Sequence, residues 1–353
     1  MEKDYIIVGG GIAGLSFATY CQMNNKSFVI IDSTKQPKSS MVAVGLYNPI
    51  VLKRFTAIWQ ADEQMNLAEE FYKKLEDSFD TKFLYNIPLY RKIANVEEQN
   101  NWFTACDKPS LKNYLNDQLI VDKITGVDSP LGFGELHKSG YLDTKKFVSS
   151  YHKYLQKNKA IFYEDFDYNI LKISDSSVQY KDIFAKNIVF AEGFFMHNNP
   201  FFNQLPLDGT KGEVLTVRIP NLKTQVILKT NIFVLPIGED LYRVGATYNW
   251  HDKSQQTTED GKQELINDLK KLVNLPFEVV SHVAGVRPTV RDRKPLVGKH
   301  LQYNNMYLLN GLGTRGVLLG PYLANQLFNH IENKEDLPKE IDIKRYYKKL
   351  NLL

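Results

Sequence analysis

A glycine-rich turn close to the N-terminus has the residue types and the spacing to bind a phosphate-bearing ligand. Gly9, Gly11 and Gly14 follow the apolar run at residues 5–8 and precede a helix-like stretch. In such a turn the first glycine permits the tight bend, the second lets backbone approach a pyrophosphate, and the third lets helix and strand pack closely. The helix N-terminus adds unpaired N–H groups and a positive dipole end. The turn therefore predicts a dinucleotide site.

An acidic residue supports the same interpretation. Asp32 ends the second apolar strand, 18 residues after Gly14. A carboxylate at that place accepts hydrogen bonds from ribose hydroxyls and repels a 2′-phosphate. The glycine pattern alone is a weak signal, but the strand–helix–strand context and the acid favour a dinucleotide site over the alternative of a plain tight turn.

The arginines are unevenly distributed, which indicates a second place for chemistry. The chain has 9 arginines among 44 basic residues, and four of the nine fall between Arg287 and Arg315. Where a chain otherwise uses lysine, a local cluster of arginine indicates that the planar guanidinium fork is needed.

The elements that position these residues follow from the pattern of apolar side chains. Residues 5–32 have the pattern and the size of a β-α-β unit. Helical spacing predicts further helices, and a short terminal helix is expected after residue 333. Longer alternating strands separated by turn signals predict an antiparallel sheet at 213–219, 226–228, 232–236 and 242–247. The predicted helices are 61–79, 145–157, 260–272 and 317–331.

Composition and charge limit the class of protein. The 353 residues carry 44 Lys and Arg against 40 Asp and Glu, a formal charge of +4, and 43% are hydrophobic. These values are typical of a globular chain of about two domains and exclude disordered and collagen-like classes. No stretch approaches the roughly 20 apolar residues of a membrane span. The first strand begins so early that we expect no signal peptide and no membrane partner.

The cysteine count bears on location and on metal binding. Cys21 and Cys106 are the only two, which excludes a disulfide framework. Both thiols are expected to be reduced, so a cytoplasmic location is the expectation. No Cys/His cluster has zinc spacing, and we expect no metal. The small net charge neither supports nor excludes a nucleic-acid partner.

Three further segments extend the pattern: Ser40–Gly45, Asn187–Gly193, and Gly285–Gly316, which ends in a second glycine turn. Taken in order, they resemble the FAD-dependent D-amino-acid oxidase superfamily, which includes glycine and sarcosine oxidases. The resemblance runs from Tyr5 to about Ile331. It implies an α/β chain in a two-domain α+β arrangement, with a Rossmann-like FAD-binding domain and a substrate domain built on a mainly antiparallel sheet.

The resemblance implies FAD as the cofactor and assigns residues to it. Ser40, Ala43 and Gly45 match the segment that passes the pyrophosphate and the flavin. The helix after the second glycine turn points its N-terminus at the flavin pyrimidine ring, where a positive dipole end stabilises the charge that builds on reduction. Neither cysteine lies beside a flavin motif, so noncovalent attachment is expected. The implied cofactor-binding residues are Gly9, Gly11, Ile12, Ala13, Gly14, Asp32, Ser40, Ala43, Gly45, Ala191, Gly193, Gly313, Thr314, Arg315, Gly316 and Val317.

Three residues are implied to be catalytic. In this family the arginine that matches Arg287 forms a bidentate pair with the substrate carboxylate. The alternative is a structural arginine that pairs with an internal acid such as Asp292. Arg315 lies in the flavin-facing turn, where it could hold flavin O2 or a substrate acid, or brace the loop. Tyr248 follows the last strand of the presumed substrate sheet, from which related oxidases take pocket tyrosines. A tyrosine in the sheet core is the alternative.

One branch of the superfamily is closer in its motifs. The FAD-dependent half of the bifunctional tRNA 5-methylaminomethyl-2-thiouridine biosynthesis protein has a Gly-Val-Arg-x-x-x-Arg-Asp-x-x-Pro-x-Val-Gly motif similar to residues 285–298. Its Leu-Gly-Ser-Arg-Gly resembles residues 312–316. The chain departs from this branch because it lacks the methyltransferase half, and because Pro288 matches the amino-acid oxidases instead.

The resemblance implies oxidation of the C–N bond of a small amine or amino acid. Hydride passes to flavin N5, the imine hydrolyses, and oxygen reoxidises the flavin. An alternative is a tRNA-modifying oxidase that acts on a wobble-uridine side chain, with tRNA as the partner. A second alternative is a flavin-binding protein without catalysis. A disulfide reductase is disfavoured because the chain has no Cys-x-x-Cys.

The domains are expected to be discontinuous. The FAD-binding domain is predicted to use residues 1–80, 140–205 and 281–353. The substrate domain is predicted to use residues 81–139 and 206–280.

Overall fold

The structure is a computed structural model that describes residues 1–350. Its strands are β1 (Glu2–Val8), β2 (Phe28–Asp32), β3 (Leu46–Tyr47), β4 (Ile50–Val51), β5 (Thr56–Ala57), β6 (Leu84–Asn86), β7 (Leu89–Lys92), β8 (Leu115–Ile120), β9 (Phe133–Leu136), β10 (Gly140–Leu142), β11 (Ile161–Tyr163), β12 (Lys172–Ile173), β13 (Val178–Tyr180), β14 (Ile183–Phe190), β15 (Thr210–Arg218), β16 (Ile227–Lys229), β17 (Phe233–Gly238), β18 (Leu241–Gly245), β19 (Glu278–Arg287), β20 (Leu296–Lys299) and β21 (Met306–Asn310). Its α-helices are α1 (Ile12–Met23), α2 (Ser39–Val42), α3 (Ala61–Phe79), α4 (Val96–Cys106), α5 (Thr144–Lys157), α6 (Glu259–Lys270), α7 (Gly316–Glu332) and α8 (Lys344–Tyr347).

The first sheet contains the N-terminal β-α-β unit. Its strands run in the order β11-β2-β1-β14-β13-β12, and β14 also pairs with β21, which pairs with β20. Strand β1 is parallel to both β2 and β14, and its residues Tyr5, Ile6 and Ile7 are fully buried. A strand covered on both faces needs this continuous apolar run. The α/β fold with a Rossmann-like core is therefore confirmed.

The second sheet is mainly antiparallel, in the order β19-β15-β18-β17-β16-β7-β9-β8. The exception is the parallel pair β16–β7. One face is covered by α6, whose buried Leu265 and Leu269 share a core with Val217 and Val244. The other face turns toward the first sheet, where α2 packs against β19. The functional site can therefore form between the two sheets.

Sheet membership bears on the predicted domain bounds at two places. Strand β19 pairs with β15 as far as Arg287, so the predicted boundary at residue 281 cuts through a strand of the second sheet. Strand β6 pairs with β10 in a small separate sheet with β3, although residues 81–139 were assigned to the substrate domain. Backbone pairing between distant segments decides both points, and local patterns do not report it.

Helix α3 can be predicted from its local sequence pattern, whereas helix α4 is not predicted. The predicted helix at 61–79 is confirmed without a shift as α3, because its apolar stripe is long and regular. Helix α4 is missing from the sequence prediction, since only Trp102, Ala105 and Cys106 of its residues are buried. A start signal was nevertheless present. Asn95 caps the helix by accepting from the N–H of Glu98, whose carboxylate accepts from the N–H of Ala94.

The structure also bears on a membrane span and on a metal site. Among residues 1–350, no helix is long and apolar enough to cross a bilayer. The same described residues contain no group of three or more His, Cys, Asp or Glu side chains placed to hold a metal ion.

Candidate functional site

The first glycine turn brings backbone to within contact distance at two points. Gly9 has a φ of +107°, and a Cβ there would lie 2.5 Å from the carbonyl oxygen of Ala191. A Cβ on Gly14 would overlap the carbonyl oxygen of Gly9. Gly11 begins α1 in an extended conformation with no side-chain cap. The N-terminus of α1 therefore presents backbone N–H groups that its own N-cap residue does not cover, which is what a pyrophosphate requires.

Asp32 lies directly beside this turn and has an unused oxygen. The carboxylate is only 3% exposed, and Oδ1 accepts a hydrogen bond from Gly10 N at 2.8 Å. Oδ2 has no partner in hydrogen-bond geometry, although Lys38 Nζ lies 3.1 Å from it. A buried carboxylate oxygen that accepts no hydrogen bond from the chain can accept one from a ribose hydroxyl, so this side chain is compatible with a dinucleotide.

Two neighbours of Asp32 were missed by sequence reasoning. Lys38 comes from the loop after β2, and His152 comes from α5. His152 Nε2 lies 2.8 Å from the carbonyl oxygen of Gly10 and 3.9 Å from Asp32 Oδ2. Neither residue belongs to a motif. His152 lies 120 positions after Asp32 in the chain, and only the fold brings the two side chains together.

The segment from Ser40 to Gly45 connects the turn to the second sheet. Ser40 Oγ accepts from Ile12 N at 3.2 Å and so sits at the N-terminus of α1. The carbonyl oxygen of Ala43 accepts from Thr144 Oγ1 at 2.8 Å. Gly45 has a φ of +76°, and a Cβ there would overlap the carbonyl oxygen of Leu142. The segment therefore runs from the phosphate-binding end toward the space between the sheets.

The second glycine turn converges on the first. Gly313 has a φ of +56° and donates its N–H to the carbonyl oxygen of Pro288 at 3.1 Å. Arg315 is the N-cap residue of α7 and provides no side-chain cap. Its guanidinium has no hydrogen-bond partner among the described residues, and burial lowers its pKa. Helices α1 and α7 touch near their starts, since a Cβ on Gly320 would lie 2.6 Å from Ile12 Cγ2. Two helix N-termini thus lie side by side.

Arg287 lies at the end of β19. Its guanidinium packs against Gly212, in the space that a Cβ on that residue would occupy. Its Nη1 donates to the carbonyl oxygens of Lys211 and Thr247, at 3.3 Å each. Its Cζ is 4.5 Å from the centre of the Tyr248 ring. Burial lowers its pKa, and no carboxylate of the described chain lies within salt-bridge distance.

The alternative that Arg287 pairs with Asp292 is wrong. Asp292 is held instead by Arg345, whose Nε lies 3.1 Å from Oδ2. Arg291 pairs with Asp208 at 3.2 Å on the surface. Arg287 is therefore left with charge and donor capacity that the protein itself does not use.

Tyr248, beside Arg287, and Trp250, two residues further along the chain, are more open than a sheet core would make them. Tyr248 is 61% exposed and Trp250 is 39% exposed. The guanidinium of Arg293 lies 5.8 Å from the Trp250 ring centre. Tyr242, by contrast, is buried and donates its hydroxyl to the carbonyl oxygen of Leu222. The core alternative therefore describes Tyr242, and it is wrong for Tyr248.

A cavity of about 410 Å³ lies between α3 and the small β3-β10-β6 sheet, and Arg287 is not among the residues that line it. Its lining includes Tyr47, Tyr72 and Leu318, and Val317 is the only predicted cofactor residue among the lining residues. The cavity therefore borders the start of α7 but does not contain the candidate catalytic residues.

Glu192, between Ala191 and Gly193 at the end of β14, gives the stability of the fold a pH dependence. Asn199 Nδ2 donates to it at 2.7 Å and the Tyr168 hydroxyl also donates, but burial dominates and raises its pKa to about 7. The folded protein therefore holds a proton that the unfolded chain releases near pH 4.5. The contribution of Glu192 to the free energy of unfolding is therefore most favourable below about pH 4.5, and it falls as pH rises from about 4.5 through 7.

Glu192→Gln is expected to remove the loss of stability that Glu192 causes as pH rises. At pH 8 the variant should be more stable than the wild type by on the order of 2 kcal/mol, because no charge is then buried. Urea unfolding of both proteins at pH 5 and pH 8 measures the difference. Equal slopes of stability against pH in the two proteins would contradict the shift.

Comparison with known proteins agrees with this geometry. A family model described as FAD dependent oxidoreductase (DAO) matches residues 4–329. Glycine oxidase of Bacillus subtilis is 23% identical over 364 aligned positions, covering 95% of both chains. The tRNA 5-methylaminomethyl-2-thiouridine biosynthesis bifunctional protein of Campylobacter jejuni is 24% identical over 171 positions, which are 46% of this chain and 27% of that protein. The crystal structure of glycine oxidase from Bacillus cereus has a TM-score of 0.76 at 18% identity, covering 95% of this chain and 96% of that one.

Proposed function

Because the chain belongs to the DAO family of FAD-dependent oxidoreductases, we propose that it oxidises the C–N bond of a small amine that carries a carboxylate. Membership of this family makes the chain an enzyme with FAD as its cofactor, which argues against a flavin protein without catalysis. The observation that carries the proposal is Arg287, a largely desolvated guanidinium that lacks a carboxylate partner among the described residues.

Arg287 is suited to a carboxylate for two physical reasons. Its Nη1 is tied to two backbone carbonyls, so the plane of the guanidinium is fixed while other N–H groups remain free. A fixed guanidinium binds a carboxylate through two parallel hydrogen bonds, which orients the ligand as well as holding it. A desolvated charge without a partner is costly, and an anionic substrate removes that cost.

The residues present fit FAD along its length. The N-terminus of α1 would hold the pyrophosphate and Asp32 Oδ2 a ribose hydroxyl, while the start of α7 and Arg315 would face the flavin pyrimidine ring. FAD, when bound, supplies the acceptor for the hydride of the substrate. The chain contributes orientation through Arg287 and Tyr248. It contributes positive charge through α7 and Arg315, where negative charge develops.

Noncovalent attachment is part of the proposal. Cys21 and Cys106 are both buried, and burial raises the pKa of each thiol, so neither is a reactive thiolate. Two free thiols in α1 and α4 also fit a reducing compartment, and we propose a cytoplasmic location on that ground. Oxygen is proposed as the oxidant that returns the flavin to its starting state.

A second candidate substrate is an amine on a tRNA wobble uridine. The observation in its favour is the exposure of Tyr248 and Trp250 close to Arg287, with Arg293 beside Trp250 and Lys253 on the same loop. Exposed aromatic rings beside cationic side chains are typical of surfaces that stack unpaired bases. The same Arg287 would bind the carboxylate of a carboxymethylaminomethyl group.

An anaerobic flavin-reduction screen distinguishes these candidates. We expect glycine, sarcosine or another carboxylate amine to bleach the oxidised flavin band of the holoenzyme, and unmodified alkylamines of equal size to bleach it far more slowly. Bleaching only by a tRNA that carries the secondary amine would select the RNA candidate. A flavin that stays oxidised with every carboxylate amine and with tRNA would refute the proposed function.

A further inference from the structure

The loop that follows β18, residues 246–258, passes over Arg287 and then along β15. It carries Tyr248, whose ring lies 4.5 Å from Arg287 Cζ. Immediately afterwards, Asn249 and Lys211 exchange backbone hydrogen bonds of 3.0 and 2.9 Å. The 246–258 loop is thus attached to β15 at the residue whose carbonyl oxygen also accepts from Arg287.

Lys211 is unusual because its charged end is buried. The side chain is 1% exposed, and Nζ lies 2.5 Å from Asp252 Oδ2 and 3.3 Å from Ser254 Oγ. Glu213 Oε1 is 3.6 Å away. The hydrogen bond from Lys211 lowers the pKa of Asp252 to about 2, so this carboxylate stays charged throughout the neutral range. Through this buried side chain, Lys211 holds the 246–258 loop against β15.

We propose that Lys211 is a positioning residue for carboxylate recognition, which acts by holding the 246–258 loop so that Tyr248 and the Thr247 carbonyl fix the plane of Arg287. Its backbone carbonyl binds Arg287 Nη1 directly, while its ammonium group binds Asp252, four residues beyond Tyr248. Lys211 therefore supplies one restraint on the arginine itself and helps to hold the loop that carries the other, together with the hydrogen bonds that join Thr247 to Glu213. This inference rests on the proposed function, because it concerns the group that Arg287 binds.

The loop keeps other anchors when this ion pair is lost. Lys253 Nζ donates to the carbonyl oxygen of Gly209 at 2.8 Å, and Gln255 Nε2 donates to that of Pro37 at 3.3 Å. Loss of the Lys211–Asp252 pair should therefore loosen the part of the loop near Tyr248 without releasing the whole loop. The effect should appear in carboxylate binding and not in the binding of FAD.

The test uses the holoenzyme, with acetate as the carboxylate probe and acetamide as its uncharged counterpart. Each is titrated against the flavin absorbance spectrum in the wild type and in Asp252→Asn, an isosteric change at a partly exposed position. We expect the Kd for acetate to rise about ten-fold or more, since a small misplacement of a binding group has effects of this size. The Kd for acetamide and the FAD content should stay near the wild-type values.

Further variants separate positioning from general damage. Lys211→Met should weaken acetate binding in the same way, and the double variant should be no weaker than Lys211→Met alone, because both changes remove one interaction. Lys211→Arg, which can still reach Asp252, should recover part of the affinity. Lys92→Met removes a lysine–aspartate pair of 3.1 Å, with Asp128, elsewhere in the second sheet, and should leave acetate binding unchanged.

Two outcomes overturn the inference, and they differ. If the wild type binds acetate and Asp252→Asn binds it within two-fold as well, the positioning role is wrong while the proposed function stands. If acetate does not perturb the wild-type flavin at all, the carboxylate site itself is absent, and the proposed function falls with the inference. Should Lys211→Met fail to fold, Asp252→Asn alone decides.

Discussion

Arg287→Ala is expected to lower kcat/KM for carboxylate amines by about 10²–10³-fold. The guanidinium is desolvated, fixed by two carbonyls and stacked on Tyr248, so the charge-assisted pair that it forms is strong and geometrically defined. Its removal leaves the substrate carboxylate in a partly desolvated site without a partner. Steady-state kinetics with a carboxylate amine and with its carboxamide measure the effect.

The carboxamide provides one control, because it lacks the charge and should lose far less with the same substitution. Arg291→Ala provides another. It removes an arginine only four positions away whose ion pair with Asp208 is exposed, and surface pairs contribute little. If Arg287→Ala leaves both turnover and apparent affinity for carboxylate amines unchanged, the arginine has another role.

Much of the fold could be predicted because the decisive signals were local. The β-α-β unit and α3 are carried by short apolar runs and by a regular stripe, which is why their bounds agree closely with the structure. Helix α4 buries only three side chains and was missed. Membership of β19 in the second sheet depends on pairing with a strand some 70 positions away, so no local pattern could show that the predicted boundary at residue 281 falls inside a strand.

The site was only partly predictable for the same reason. The motif placed Arg287 in a substrate site, but its carbonyl partners at Lys211 and Thr247 lie 76 and 40 positions away in the chain. No spacing rule reports such contacts. The sequence around Lys211 assigns it no role, and the role proposed here depends on the fold, which buries it against Asp252. Sequence motifs therefore identify groups that touch ligands, while the residues that orient those groups emerge from tertiary structure.

Gly14→Ala is expected to abolish FAD binding or to reduce it at least about 10²-fold. A Cβ at this position would overlap the carbonyl oxygen of Gly9 and would lie 3.3 Å from Ile7 Cγ2. Ile7 is fully buried and the Gly9 oxygen belongs to the backbone, so α1 has to move away from the strand. Its N-terminal N–H groups then leave the position in which they would bind the pyrophosphate. The ratio of flavin to protein absorbance after purification, followed by titration with FAD, measures the loss.

Gly238→Ala is the matched control for this change. Gly238 has a φ of +93°, but a Cβ there would meet nothing within 4 Å, so the substitution adds backbone strain without a collision. It should cost about 1–2 kcal/mol of stability and leave FAD content unchanged. Loss of FAD from Gly14→Ala but not from Gly238→Ala would assign the effect to the contact between α1 and Gly9. Full flavin content in Gly14→Ala would show that the turn tolerates a wider gap and that its glycines are not needed for the cofactor.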